Sequence, residues 1–104
     1  MMELKADMDL DKEIAAKGDT PVFVKFYAQW CGGCKKLAPI LEKKTNEKGY
    51  FLINIDVDEC EELAEKYEVS SIPRVLVFKK GQKVFDFIGN NAEKLDKALE
   101  AAAS

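Results

Sequence analysis

The feature that constrains the fold most is an apolar run at residues 22–27 that leads directly into a helical pattern. The run has strand length, is rich in β-branched and aromatic side chains, and is bounded by turn residues, which indicates a buried central strand. The pattern that follows predicts a helix over residues 34–48, with a kink near its first turns because it contains Pro39. A strand that leads into a helix is the unit from which α/β folds are built.

The remaining patterns predict further elements of the same kind. In chain order, the predicted elements are an edge strand at 3–6, a helix at 9–17, the strand at 22–27, the helix at 34–48, a strand at 51–57, a helix at 61–67, a hairpin of strands at 75–78 and 84–88, and a helix at 92–102 with Asn90 or Asn91 as its N-cap. Helices that alternate with strands early, followed by a late hairpin, imply a mixed sheet covered by helices on both faces. A chain of 104 residues has room for one such domain, so we predict that residues 1–104 form a single domain.

Composition argues against several classes of partner. The formal net charge is -3, so the chain lacks the basic surface that neutralises phosphates, and we expect no nucleic-acid partner. No window approaches the roughly 20 consecutive apolar residues of a membrane span, and no hydrophobic signal segment follows Met1. We therefore expect a cytoplasmic protein that has other proteins as partners and no membrane partner.

The motif that carries chemistry is the pair Cys31 and Cys34, which lies where the central strand passes into the long helix. Open α/β sheets place their reactive groups at this carboxyl end of a strand. Cys31 falls near the helix N-cap, where free N–H groups and the helix dipole stabilise a thiolate, so we predict that Cys31 is the nucleophile. Cys34 lies one turn further in, and we predict that it resolves the mixed disulfide that Cys31 forms with a substrate.

A metal site is the usual alternative for two cysteines at this spacing. Zinc needs four ligands, commonly Cys or His, but the chain has no His and only three Cys, so we predict no metal held within one chain. An iron–sulfur cluster shared between two copies of the chain stays open as an alternative, because two copies together supply four thiolates at this motif.

Several segments beyond the dithiol resemble the thioredoxin family in residue type and spacing. The resemblance covers essentially the whole chain, is closest to eukaryotic cytosolic members, and is carried by residues 26–35, 37–39, 55–58, 71–73 and 78–81. It implies a thioredoxin fold, in which a central mixed five-stranded sheet is flanked by four helices. It also implies a protein disulfide reductase and electron carrier with no bound cofactor. Such a protein uses NADPH indirectly, through thioredoxin reductase, and reduces disulfide-containing proteins such as peroxiredoxins.

The resemblance also assigns residues around the dithiol. It implies a cis peptide bond between Ile72 and Pro73, with the backbone of Ile72 pairing with the substrate chain as an added strand. Trp30 is expected as an exposed aromatic flank of the site rather than a core residue, because it directly precedes an exposed nucleophile. Gly89 is expected to let the partner's backbone approach closely, with a bulge or a strand end as the alternative explanation.

Three places depart from the family pattern. Gly32 and Gly33 occupy the stretch between the cysteines where Gly-Pro is usual, so the turn loses a residue that fixes φ. Arg74 stands where a small hydroxyl residue is common, and we expect it to place a cation at the substrate rim. Both glycines and Arg74 are expected to line the substrate site. Lys25 stands where the family has a buried Asp that helps to deprotonate the resolving cysteine, and the family's nearby Lys is here Leu52.

Lys25 is therefore a candidate for tuning the pKa of the dithiol, and three arrangements are open for it. Its stem can be buried with the amine in water. A charged amine near the sulfurs would stabilise thiolate over disulfide, and a neutral amine could act as a base toward Cys34. The third cysteine, Cys60, lies where some eukaryotic family members carry an extra cysteine, but a small, semi-buried side chain is the simpler interpretation.

Two other functions compete with the reductase. A disulfide isomerase or oxidase domain would need a more oxidising dithiol, and the chain has neither a His between the cysteines nor a recognisable secretory signal. A binding module whose partner senses the oxidation state of the dithiol is also compatible with the sequence. The activity of dithiol variants toward a protein disulfide separates a catalyst from a binding module.

Overall fold

Five strands and four helices make up the computed structural model, which describes residues 1–104. In chain order the elements are β1 (Met2–Glu3), α1 (Leu10–Ala15), β2 (Val22–Tyr27), α2 (Gly32–Lys48), β3 (Phe51–Asp56), α3 (Glu61–Lys66), β4 (Arg74–Lys79), β5 (Gln82–Ile88) and α4 (Ala92–Ala103). The strands form one sheet in the order β1-β3-β2-β4-β5, in which β1, β3 and β2 are parallel and β4 is antiparallel to both β2 and β5. The predicted mixed five-stranded sheet with four helices is confirmed.

Helices cover both faces of the sheet because side chains alternate along each strand. On β2, Val24 and Phe26 point into a core shared with α1 and α3. Phe23 points the opposite way, into a core shared with α2 and α4. Since β2 pairs with a strand on each side and is buried over residues 22–26, it is the central strand that the sequence predicted.

The first helix is shorter than predicted. Asp9 caps α1 by accepting the Lys12 N–H at 3.2 Å, and the helix ends at Ala15 rather than at residue 17. The chain then turns, and Gly18 has a φ of 58°, a left-handed value that an α-helix cannot contain. The glycine therefore lies within the turn that follows the helix and does not mark the end of the helix itself.

Every other predicted element except β2 also differs from prediction by one to three residues at one or both ends, and the differences at α2 and β1 have local reasons. The helix α2 begins at Gly32, two residues before the predicted start, because Cys31 is its N-cap. The edge strand β1 covers Met2–Glu3 and not residues 3–6, because the chain turns after Leu4, where the Met8 N–H donates to Lys5 O at 3.0 Å. Of the two residues predicted to cap α4, Asn91 does so by accepting the Lys94 N–H at 3.0 Å.

Candidate active site

The end of β2 and the start of α2 position the two cysteines. Cys31 and Cys34 form a disulfide across the first turn of α2, with their Cα atoms 5.2 Å apart. The backbone N–H of Cys34 donates to Cys31 Sγ at 3.1 Å, so the sulfur itself caps the helix. The structure therefore brings the predicted pair together at the positive end of a 17-residue helix.

Both cysteines of the pair are buried. Cys31 is 7% exposed and Cys34 is 2% exposed, and both pack against Ala28 in a small cluster that Tyr27 and Ile72 border. Cys31 is therefore not the exposed residue that the sequence predicted, but it is the less buried of the two cysteines in this disulfide form. The order of attack, with Cys31 first, stays a prediction.

A loop of residues 69–73 lies beside the dithiol. Its peptide bond between Ile72 and Pro73 is cis, so that expectation is confirmed. Ile72 packs against the cysteine cluster, and Pro73 Cδ lies 3.5 Å from the position that a Cβ would take at Gly33. None of the backbone N–H and C=O groups of residues 70–72 is hydrogen-bonded within the protein. The loop therefore presents a free backbone edge next to the disulfide.

Trp30 and Gly89 are the two other residues expected around the site. Trp30 is 70% exposed, which confirms that it is not a core residue, and its indole N–H donates to Asp58 Oδ2 at 3.0 Å. The sequence pattern gives no sign of this role for Asp58. The role of Trp30 as a flank of the substrate site stays a prediction. Gly89 directly follows β5 with a φ of 95°, and its N–H donates to Pro73 O at 2.7 Å. A Cβ at Gly89 or at Gly32 would meet no atom within 4 Å, so the surface beside both glycines is open.

Arg74 is engaged within the protein. Its Nε and Nη2 donate to the two carboxylate oxygens of Asp86 at 3.0 and 2.7 Å, and Nη1 donates to Tyr67 O at 2.8 Å and to Glu68 O at 3.3 Å. The hydrogen bond from Arg74 holds the pKa of Asp86 below its usual range, although burial acts in the opposite direction and Lys83 adds a smaller lowering. The expected rim cation is thus tied to β5 and to the end of α3.

Lys25 is 4% exposed, in the middle of β2 and on the sheet face that α2 covers. It is in register with Asn54, and its Nζ lies 5.2 Å from the centroid of the Tyr27 ring. Burial lowers the pKa of the Lys25 amine, while the carboxylates of Glu42 and Glu3 raise it to smaller extents. The neighbouring Asn54 Oδ1 is the one enclosed side-chain oxygen or nitrogen without a hydrogen-bond partner. Glu3 on β1 is in register with Asn54 on the other side. Glu3, Asn54 and Lys25 therefore form a row of polar residues across three neighbouring strands.

Cys60 lies apart from the dithiol, at the N-cap position of α3, and is buried. Its thiol donates to Leu4 O at 3.7 Å. Burial raises the pKa of this thiol, and the carboxylates of Glu59 and Asp56 raise it further. A buried, protonated thiol is a poor nucleophile, so the structure favours a packing role for Cys60.

A disulfide at a helix N-terminus, at the carboxyl edge of a central strand and beside a free backbone edge, defines a thiol–disulfide oxidoreductase. The sequence profile of the thioredoxin family matches residues 2–101. The thioredoxin of Echinococcus granulosus is 43% identical over 93 residues, which are 88% of this chain and 86% of that one. Human thioredoxin is 35% identical over 98 residues, which are 93% of each chain. The X-ray structure of Fasciola hepatica thioredoxin has a TM-score of 0.88 at 36% identity and covers 96% of this chain and 97% of its own.

The chain therefore belongs to the thioredoxin family. It is a protein disulfide reductase and electron carrier whose redox centre is the Cys31–Cys34 pair. Thioredoxins act with a thioredoxin reductase and with disulfide-containing substrates. The predictions of family, fold and reductase activity are confirmed.

Proposed function

We propose that this chain is reduced by an NADPH-dependent thioredoxin reductase and passes its two electrons to disulfides in proteins such as peroxiredoxins. In this proposal no cofactor is bound to the chain, because the dithiol itself carries the electrons. The observation that carries the proposal is the Cys31–Cys34 disulfide at the N-terminus of α2, with a free backbone edge beside it.

The two cysteines have different roles in the proposed reaction. The Cys31 thiolate attacks one sulfur of the substrate disulfide, and the other substrate sulfur leaves as a thiolate and takes up a proton. Cys34 gives up its proton and attacks Cys31 Sγ, so the first substrate sulfur leaves in turn. The substrate has then gained two electrons and two protons, and the protein holds the Cys31–Cys34 disulfide, which the reductase reduces again.

The substrate chain is proposed to lie along the free edge of residues 70–72. An extended segment can pair there with the N–H and C=O groups of Ile72, as strands do when they add to an unpaired edge. Open space beside Gly89 and Gly32 supports a close approach of the partner's backbone. The residues proposed to line the substrate site are Trp30, Gly32, Gly33, Ile72, Pro73 and Gly89, with Arg74 at their border.

The cytoplasm is the proposed location. Its reducing conditions suit a protein that must spend part of each cycle as a free dithiol. None of the helices has the length and apolar character needed to span a membrane. We propose no nucleic-acid or membrane partner for the chain.

The proposed electron path is tested by coupling NADPH oxidation to insulin reduction through a eukaryotic thioredoxin reductase. We expect the wild type to sustain NADPH oxidation and Cys31→Ser to show only the uncatalysed rate, because no nucleophile remains. Cys60→Ser is the matched control and is expected to retain the wild-type rate. If insulin is reduced when dithiothreitol is supplied but not with the reductase, the chain is a reductase with another electron donor. A wild type inactive with both donors would contradict catalysis and favour a binding module.

Lys25 is proposed to tune the dithiol as a partly desolvated cation. A positive charge beneath α2 stabilises thiolate over disulfide, which favours the reduced form and makes the reduction potential less negative. We therefore expect Lys25→Met to make the potential more negative by about 10 to 30 mV, equivalent to about 0.5 to 1.4 kcal/mol. Equilibration against glutathione measures this shift.

Lys48→Met, at the far end of α2, is the control, since it removes the same charge from an exposed position. The alternatives for Lys25 give different results. A potential and a rate that Lys25→Met leaves unchanged would show that the amine does not act on the dithiol. A slower resolving step at an unchanged potential would instead identify a neutral base toward Cys34.

A further inference from the structure

Arg74 connects three elements around the loop beside the dithiol. We propose that Arg74 is a positioning residue, whose guanidinium fixes the loop of residues 69–73 and thereby the Ile72 edge relative to Cys31. This inference rests on the proposed function, because that function assigns substrate binding to the same edge.

Between its ends the loop is held by the packing of the Ile72 side chain against the cysteine cluster and by no backbone hydrogen bond. Residues 70–72 make no backbone hydrogen bonds within the protein, and the nearest elements are the end of α3 and the start of β4 at Arg74. Arg74 Nη1 spans this gap, since it donates to Tyr67 O and to Glu68 O on the other side of the loop. One side chain therefore ties the two ends of the loop directly to each other.

The acceptors on α3 suit a cation. Tyr67 is the C-cap of the helix, where carbonyl groups have no partner within the helix and carry partial negative charge. Glu68 follows with a φ of 53°, so the chain leaves the helix there in the left-handed region. The guanidinium thus binds the backbone at the point where the chain enters the loop.

Asp86 on β5 holds the guanidinium in place. The pair is bidentate, and the Arg74 and Asp86 side chains are 18% and 27% exposed. Only a planar guanidinium can bind a carboxylate through one edge and a carbonyl through the remaining nitrogen, whereas a Lys would offer a single point charge. The network therefore extends from β5 through the first residue of β4 to the end of α3.

A direct charge contact between Arg74 and the substrate is the alternative, and three variants separate the two. Arg74→Lys keeps the charge but loses the pair of parallel N–H groups that binds the Asp86 carboxylate. Asp86→Asn weakens the hold on the guanidinium and leaves the cation free to turn toward a substrate. Lys83→Met is the matched control, because Lys83 Nζ also lies 3.0 Å from the Asp86 carboxylate but makes no contact with α3.

The experiment compares steady-state reduction of insulin, which can pair with the edge, with reduction of the small neutral disulfide bis(2-hydroxyethyl) disulfide, which cannot. We expect Arg74→Lys, Arg74→Met and Asp86→Asn each to raise KM for insulin about fivefold with little change in kcat. The double variant of Arg74→Met and Asp86→Asn should match the single ones, because all remove the same network. The rate constant with the small disulfide should stay at the wild-type value in every variant, and Lys83→Met should behave as wild type with both substrates.

Three outcomes would overturn the inference: a wild-type KM in Arg74→Lys, a lowered KM in Asp86→Asn, or an equal loss with both disulfides. The first two would assign a direct charge contact, and the third would assign a general structural role. Urea unfolding verifies that each variant is folded in the assay. If Arg74→Met does not fold, the two conservative variants, Arg74→Lys and Asp86→Asn, are sufficient to test the inference. A wild type that reduces the small disulfide but not insulin would contradict the proposed function itself.

Discussion

Cys34→Ser is expected to accumulate covalent complexes with protein substrates, while its multiple-turnover reduction of insulin falls at least about 1,000-fold. The first attack survives, because Cys31 and the N-terminus of α2 are unchanged. The resolving thiol is lost, and with it an intramolecular reaction whose effective concentration is on the order of 10⁵ M or more. The mixed disulfide then persists until an external thiol reduces it. If Cys34 is the only resolving thiol, nearly all of the complexes that Cys31 forms should stay trapped.

Non-reducing electrophoresis and intact mass measure the trapped species, and addition of dithiothreitol should release the partner. Cys31→Ser is the matched control, because it keeps Cys34 and removes the predicted nucleophile. It is expected to trap nothing. Adducts on Cys31→Ser at the level seen with Cys34→Ser would reverse the two assignments, since they would show that Cys34 makes the first attack.

Iodoacetamide is expected to modify Cys31 of the reduced protein on the order of 100-fold faster than Cys60 at neutral pH. Alkylation requires the thiolate, and a helix N-terminus lowers the pKa of a thiol. Burial and the nearby Glu59 carboxylate raise the pKa of Cys60, so this thiol is almost entirely protonated at neutral pH. Cys34 is also expected to react slowly, because it is the more buried of the two active-site cysteines.

Peptide mapping over a time course measures the three rates. The pH dependence gives a second check: the rate at Cys31 should level off once its thiolate is fully formed, whereas the rate at Cys60 should still rise above pH 9. In urea the three thiols should react alike, because unfolding removes both the helix and the burial. Similar rates for Cys31 and Cys60 in the folded protein would contradict the assignment of the nucleophile.

The sequence was sufficient to predict the parts of the site that depend on local signals. The apolar residues 22–27 predicted a buried strand, and the helical pattern behind them predicted that Cys31 would lie at a helix N-terminus. Both follow from neighbours along the chain, which is where periodicity and capping act. The cis bond before Pro73 came from family resemblance, because an X-Pro pair alone only permits it.

The contacts that could not be predicted join residues that are distant in sequence. Arg74 meets Asp86 only because β4 and β5 pair in the register that places Leu76 opposite Asp86. Trp30 meets Asp58 only because α2 begins and β3 ends at the same edge of the sheet. The surroundings of Lys25 depend on how α2 lies over the sheet, which brings Glu42 near its amine. Patterns of residue type do not specify such pairings.

The disulfide lies between paired and unpaired backbone. On one side is β2, which ends shortly before Cys31 and has a strand on each side, and on the other are residues 70–72, whose amides have no partner within the protein. Amides of a central strand exchange with solvent only through opening of the whole domain, whereas unpaired loop amides need about zero free energy to exchange. Hydrogen exchange therefore reports separately on the β2 side and on the loop side of the site. A partner that pairs with the loop slows exchange at residues 70–72, while β2 is already protected in the free protein.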